Sequence, residues 1–191
     1  MSEALVLTPP PASRRRELLF ATAFVSAGVI MMMLTLVGVY LAARNALGET
    51  FLEGSKIPLT QGNVQMLTLV MSAITMQWAV YAISRDDRTH AYLALGVTLL
   101  LGLAFVNQST FLFRQANVAR SAPGGALFYA VTGANLAMII AGLTFILLMA
   151  FRALAGQFSS RQPDGISAAA VYWYACVAMY AVVWIAVYIM K

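Results

Sequence analysis

Few side chains in this sequence are able to do chemistry, and where they stand decides how each is read. There is one histidine, His90, and one cysteine, Cys176. Cys176 lies inside an apolar run and has no second cysteine to pair with, so no disulfide framework is possible. No Cys-x-x-Cys or Cys/His cluster occurs, which argues against zinc and iron–sulfur ligation. His90 closes the run Arg85-Asp-Asp-Arg-Thr-His at the start of an apolar stretch, where it is expected to be a solvated helix-start residue. A lone histidine cannot supply bis-histidine haem ligation, and copper and di-iron centres lack ligands too. Met31-Met32-Met33 suggests thioether ligation of copper, but consecutive helical positions point about 100° apart and cannot converge on one ion. Adaptable packing is the better account. Glu3, Glu17, Glu49, Glu53, Asp86, Asp87 and Asp164 all fall in tails, loops or the ends of apolar runs, as do the arginines and lysines. A proton relay through a membrane needs ionisable groups within the spans. The expectation is therefore a chain with no redox centre and no proton pathway of its own.

What the apolar runs do contain is small or mildly polar. Thr132, Gly133, Asn135, Ala137, Ala141 and Gly142 crowd one of them. Gly133, Ala137 and Ala141 recur at steps of four, the small-xxx-small pattern that lets helix backbones approach closely, and Asn135 falls on a different face. These four, Gly133, Asn135, Ala137 and Ala141, are the candidates for a helix seam or a partner contact. Ser72, Thr75 and Gln77 occupy another run. The sequence Asn107-Gln-Ser-Thr110 is expected at the outer end of a third, within reach of water. Tyr40, Trp78, Tyr81, Tyr172, Trp173, Trp184 and Tyr188 read as aromatic belts at the membrane surfaces. Tyr40, Arg44, Trp173 and Trp184 are the candidates for interfacial or lipid contact.

The elements that must carry these residues follow from composition. Of 191 residues, 61% are hydrophobic and 10% charged, whereas a soluble domain carries about 25% charged residues. Lipid is therefore the expected solvent. About 20 apolar residues cross the hydrocarbon core, and five segments qualify: about 18–43, 64–84, 91–113, 126–150 and 168–190. The first is much longer than the apolar core of a cleavable signal, despite Arg14-Arg-Arg before it, and is read as a retained helix. The stretch Thr8-Pro-Pro-Pro-Ala-Ser reads as an extended part of a short cytoplasmic tail, 1–17, leaving 18–191 as one domain. With the N-terminus inside, Arg14, Arg15, Arg16, Arg85, Arg88, Arg152 and Arg161 lie on the inner side. Arg44, Lys56, Arg114, Arg120 and Lys191 lie on the outer side. The bias of 7 to 5 favours that orientation, with the C-terminus outside. The net charge of +5 is scattered, without the clustered basic residues and interleaved aromatics of a nucleic-acid face. The fold class expected is all-α, a polytopic membrane bundle of five transmembrane helices.

The order of the helices and four local patterns resemble subunit III of haem-copper oxidases, in its short five-helix bacterial form. The first helix ends Tyr40-Leu-Ala-Ala-Arg44, similar to a Tyr-x-x-x-Arg exit. The second holds Ser72-x-x-Thr75-x-Gln77 and leaves through Ser84-Arg-Asp-Asp87. The fourth begins with Phe128-Tyr-Ala-Val-Thr-Gly133, like the family's Phe-Tyr-x-x-Thr-Gly, the most specific of the four. The fifth carries Tyr172-Trp173, then Trp184 and Tyr188-x-x-Lys191. Polar signatures depart from the family: its buried glutamate falls near Val29, two histidines fall at Asn135 and Met138, and a His and Asp fall at Tyr174 and Val177. The resemblance implies a non-catalytic subunit of a respiratory terminal oxidase in a bacterial inner membrane. Such a subunit would pack on the catalytic subunit I and other membrane subunits and hold phospholipids, with haem and copper in the partner. An accessory subunit of a nitric oxide reductase is a related reading. An independent transporter or assembly factor is the rival; the Asn107-Gln-Ser-Thr110 run is the one feature that favours it, while no internal repeat is seen and five spans do not divide evenly.

Overall fold

A computed structural model of the chain describes residues 15–52, 57–116, 118–119, 121–155 and 164–190. The extended segment from Thr8, and the charges Arg14, Lys56, Arg120, Arg161 and Lys191 that enter the sidedness argument, lie outside those residues.

Five long helices make up the structure: α1 (Arg15–Leu47), α2 (Leu59–Ser84), α3 (Arg88–Gln115), α4 (Gly125–Leu154) and α5 (Asp164–Trp184). All five are long and apolar enough to cross a membrane, and no strand occurs among the described residues. At about 1.5 Å per residue the first four run roughly 40–50 Å, against a hydrocarbon core about 30 Å thick. Each therefore projects past the apolar stretch that hydropathy detects. That is why α2 starts at Leu59, earlier than expected from the sequence; α5 also starts earlier, at Asp164. Thr60, Gln61 and Asn63 are polar but compatible with a helix, so an apolar window cannot see them.

α5 is the axis of the bundle, packing against α1, α2 and α4, while α2 and α3 form an extensive antiparallel pair. The turn joining that pair is tightly built. Asp86 adopts a left-handed conformation (φ 58°). Its N–H donates to the Ile83 carbonyl (3.1 Å) and the Asp87 N–H to the Ala82 carbonyl (3.0 Å), the paired bonds of a Schellman motif that satisfy carbonyls at the helix end. Asp87 then caps α3 by accepting from the His90 N–H (3.2 Å).

A second tie joins the end of α1 to the start of α4. Gly48 turns the chain with φ 55° into a short 3-10 turn, Gly48–Thr50. Phe51 follows, edge-on to Tyr40 at 5.1 Å between ring centres. The Gly124 N–H donates to the Phe51 carbonyl (2.7 Å). A Cβ on Gly124 would stand 2.5 Å from the Phe51 ring, so this approach requires glycine.

α5 closes in a π-helical turn, Ile185–Ile189, in which the Met190 N–H donates to the Ile185 carbonyl (2.9 Å). The wider turn brings Tyr188 inward until its ring would lie 2.8 Å from a Cβ on Gly62. Arg44 donates to the Ala186 carbonyl in the same turn (3.2 Å), and the Trp184 indole N–H donates to Asn63 Oδ1 (3.0 Å).

Candidate functional site

Several polar side chains of this bundle gather in its interior. Residues at steps of three and four bring them there. The inner face of α2 runs Gln65, Leu69, Ser72, Met76 and Ala79, and that of α3 runs Ala94, Thr98, Gly102, Phe105 and Ser109. Between lipid-soluble helices, packing and hydrogen bonds must hold what hydrophobicity alone cannot, and those faces supply both.

Trp173 of α5 is the centre of the packing. It is fully buried and lies against two glycines. A Cβ on Gly142 of α4 would be 3.0 Å from its ring, and one on Gly102 of α3 would be 3.1 Å from it and would collide with Leu143. The indole N–H donates to Ser72 Oγ of α2 (3.1 Å), and that hydroxyl donates in turn to the Leu69 carbonyl (2.7 Å). One side chain thus touches three other helices.

Further along α5, Tyr180 donates to Gln65 Oε1 (2.8 Å), and Gln65 Nε2 donates to Ser109 Oγ (3.0 Å). Ser109 completes the chain by donating to the Phe105 carbonyl (2.9 Å). Thr75 and Thr98 pair across α2 and α3 at 2.8 Å, and Tyr174 donates to Gln77 Oε1 (2.7 Å). Tyr172 donates to the Met138 carbonyl of α4 (3.4 Å), and Tyr92 of α3 donates to the Ala153 carbonyl (2.9 Å). These bonds fasten helix to helix. Among the described residues, no three His, Cys, Asp or Glu side chains come together as a metal site.

Several residues stand elsewhere than the sequence led us to expect. Ala137 and Ala141 are exposed on the outside of the bundle, and a Cβ on Gly133 would meet nothing within 4 Å. The small-residue stripe is therefore not a seam within this chain. The seam runs about one residue, roughly 100°, around α4, where Asn135, Met138 and Gly142 face inward. Asn135, only 2% exposed, lies in that inner seam, the first of the two roles considered for it, and not at a surface contact. Tyr40 and Trp173, expected at the lipid interface, are core residues. Their aromatic area is covered by Phe51 in one case and by two glycines in the other. Arg44 and Trp184 are part-buried, each bonded near the end of α5. Ser109, expected within reach of water, is buried. Met31 and Met32 point outward while Met33 is buried, which agrees with the 100° argument against a shared ion.

Two other features concern the rim. Outside the spans, the His90 backbone N–H holds the Asp87 carboxyl below its ordinary range, helped by the His90 ring at 2.7 Å. On the flank, Ala21, Thr22, Val25, Ala141, Phe145 and Tyr172 line an apolar groove of about 350 Å³ between α1, α4 and α5. Sequence reasoning missed Gln65, Tyr180 and Gly102. The signal was present in the steps of three and four that link Gln65 to Ser72 and Gly102 to Ser109.

Residues 18–191 match the family model for cytochrome c oxidase subunit III. The cytochrome c oxidase subunit 3 of Rattus norvegicus is 31% identical over 143 residues, covering 74% of this chain and 52% of the relative. The human protein of that name is 30% identical over 143 residues, with 74% and 52% covered. That of Bos taurus is 30% identical over 135 residues, with 70% and 49% covered. The chain thus spans about half the length of the curated relatives it matches.

Proposed function

The chain belongs to the cytochrome c oxidase subunit III family, and from that premise we propose that it is a non-catalytic, multi-pass membrane subunit of a respiratory haem-copper terminal oxidase. The observation that carries this reading is the family match, whose span of residues 18–191 takes in nearly all of the five helices. The interior chemistry supports it, because the polar groups bond helix to helix and fix a rigid body suited to packing on another membrane protein. Haem and copper belong, in this reading, to the catalytic subunit I. The family match does not favour a transporter or an assembly factor.

The partner face is assigned to the outward stripe of Gly133, Ala137 and Ala141, where another backbone is able to approach closely. The apolar groove beside Ala141 is assigned to phospholipid acyl chains, since it offers almost no polar group to any other ligand. The location proposed is a bacterial inner membrane, with the N-terminus inside and the C-terminus outside. Reporter fusions after Arg85 and at Lys191 are expected on opposite sides.

The deciding experiment is extraction of the native membrane in mild detergent, with identification of the co-purifying chains and a visible spectrum. A haem-bearing, many-helix catalytic chain in the same particle is the expected result. Recovery of this chain alone, monodisperse and colourless, overturns the reading.

A further inference from the structure

A small cavity of about 20 Å³ lies where four helices meet, its polar lining supplied by Gln65 of α2, Ser109 of α3, Thr132 and Asn135 of α4, and Tyr180 of α5, with Tyr188 entering from the π-turn. Phe105, Leu112, Phe113 and Val183 complete its wall. Asn135 is 2% exposed. Neither its Oδ1 nor its Nδ2 has a hydrogen-bond partner in the protein. An amide brings two donors and an acceptor with two lone pairs, and burying it without partners is costly. Almost every buried polar side chain has a partner, from protein or from ordered water.

Three of the neighbouring hydroxyls have committed their protons elsewhere. Thr132 donates to the Phe128 carbonyl (2.7 Å), Ser109 to the Phe105 carbonyl and Tyr180 to Gln65 Oε1. Each hydroxyl oxygen has two lone pairs, and on Ser109 one already accepts from Gln65. The cavity therefore offers the Asn135 amide donors on one side and hydroxyl acceptors on the others. No ionised side chain lines it, so a bound cation or anion would have no counter-charge. A neutral molecule that both donates and accepts, and is no larger than water, satisfies this set. The volume suffices for one water molecule, and polar cavities of that size hold water where apolar ones stay dry.

We infer that the cavity is a specific site for one buried water molecule, which accepts from Asn135 Nδ2 and donates to hydroxyl oxygens around the cavity, Thr132 among them. The water joins α4 to the Gln65–Ser109–Tyr180 chain of the other three helices. Asn135 is then a positioning residue for the bundle, acting through the water.

The test is solid-state NMR on the full chain in lipid bilayers, with asparagine side chains labelled with nitrogen-15. Magnetisation is transferred from water protons to the amides. The Asn135 signal is assigned by its loss in Asn135→Leu, or in Asn135→Gln if the leucine variant does not fold. Transfer to Asn135 comparable to that of the exposed Asn45 and Asn107 is the expected result. Thr132→Val, which removes one of the water's partners, should lower that transfer at least about twofold. No transfer to Asn135 while Asn45 and Asn107 receive it means a dry cavity and overturns the inference. Transfer that Thr132→Val leaves unchanged places the water outside this site and overturns it equally.

Discussion

α1 and α5 are both membrane helices, yet the more apolar of the two is the less buried. The most apolar window of α1 has a mean hydropathy of 2.2 with 22% of it buried, against 1.8 and 50% for α5. α1 shows Phe24, Met31 and Val25 to the surroundings, whereas α5 turns Ala169, Trp173, Cys176 and Tyr180 inward. In water the apolar face of a helix marks its inside. In lipid both faces are apolar, and the inside is marked by small residues and by polar groups that need partners.

The comparison breaks most visibly at Trp173. Trp173→Ala should empty the space between Gly102 and Gly142, at a cost of about 3–5 kcal/mol. Reversible unfolding of the purified chain in mixed micelles should show the folded fraction collapse. A variant as stable as the parent would mean that α5 is not the axis.

Next in size are two glycines of α4 that face opposite ways. Gly142→Leu should cost at least about 1–3 kcal/mol by overpacking against Trp173, read as a lower unfolding midpoint of the isolated chain. Gly133→Leu should leave that midpoint unchanged and lower only the yield of assembled complex on native electrophoresis. Equal loss of midpoint in both variants would erase the distinction between inner and outer faces.

Acid should act away from both helices. The folded-state pKa of Asp87 is depressed below its ordinary value of 3.8. Its contribution to stability is therefore fully present above the unfolded carboxylate pKa and is lost as pH falls through the folded one. Hydrogen exchange in the first turn of α3 should quicken in that acid window, while α1 and α5 hold. Asp87→Asn, which keeps a capping oxygen, should remove the pH dependence. Persistence of the pH dependence in that variant would point to another group.

The smallest effect is expected at Phe24, which is 79% exposed on α1. Phe24→Ala should change the unfolding midpoint of the isolated chain by no more than about 0.5 kcal/mol. A loss approaching that of Trp173→Ala would show that α1 is held as closely as α5.

What was legible in the sequence follows the same divide. The existence of five spans followed from length and apolar composition, because crossing lipid imposes both. Which face of each helix looks inward was harder to read. Gly133, Ala137 and Ala141 repeat at steps of four and look like a seam, but the buried stripe of α4 runs through Asn135, Met138 and Gly142. Small residues serve equally well against a helix of the same chain and against a helix of a partner, so their spacing alone does not choose between the two. Tyr40 and Trp173 were misplaced for a related reason. An aromatic with a polar tip suits the membrane surface, yet it suits the interior as well when a carbonyl, hydroxyl or glycine is ready to receive it. The marker left unread was Gln65, a long amide within an apolar pattern, which must find a partner wherever it is buried.

The bond between Gly124 and Phe51 has a consequence for how the chain is made. Phe51 precedes Gly124 by 73 residues, about 4–15 s of translation at ordinary rates of roughly 5–20 residues per second. Through that interval α1 has neither the glycine that receives Phe51 nor α4 and α5, the helices it packs against. It must wait in the bilayer with every face against lipid tails. A helix that matures first and docks last has to be comfortable alone, and α1, among the most apolar of the five, is the one placed in that position by the order of synthesis.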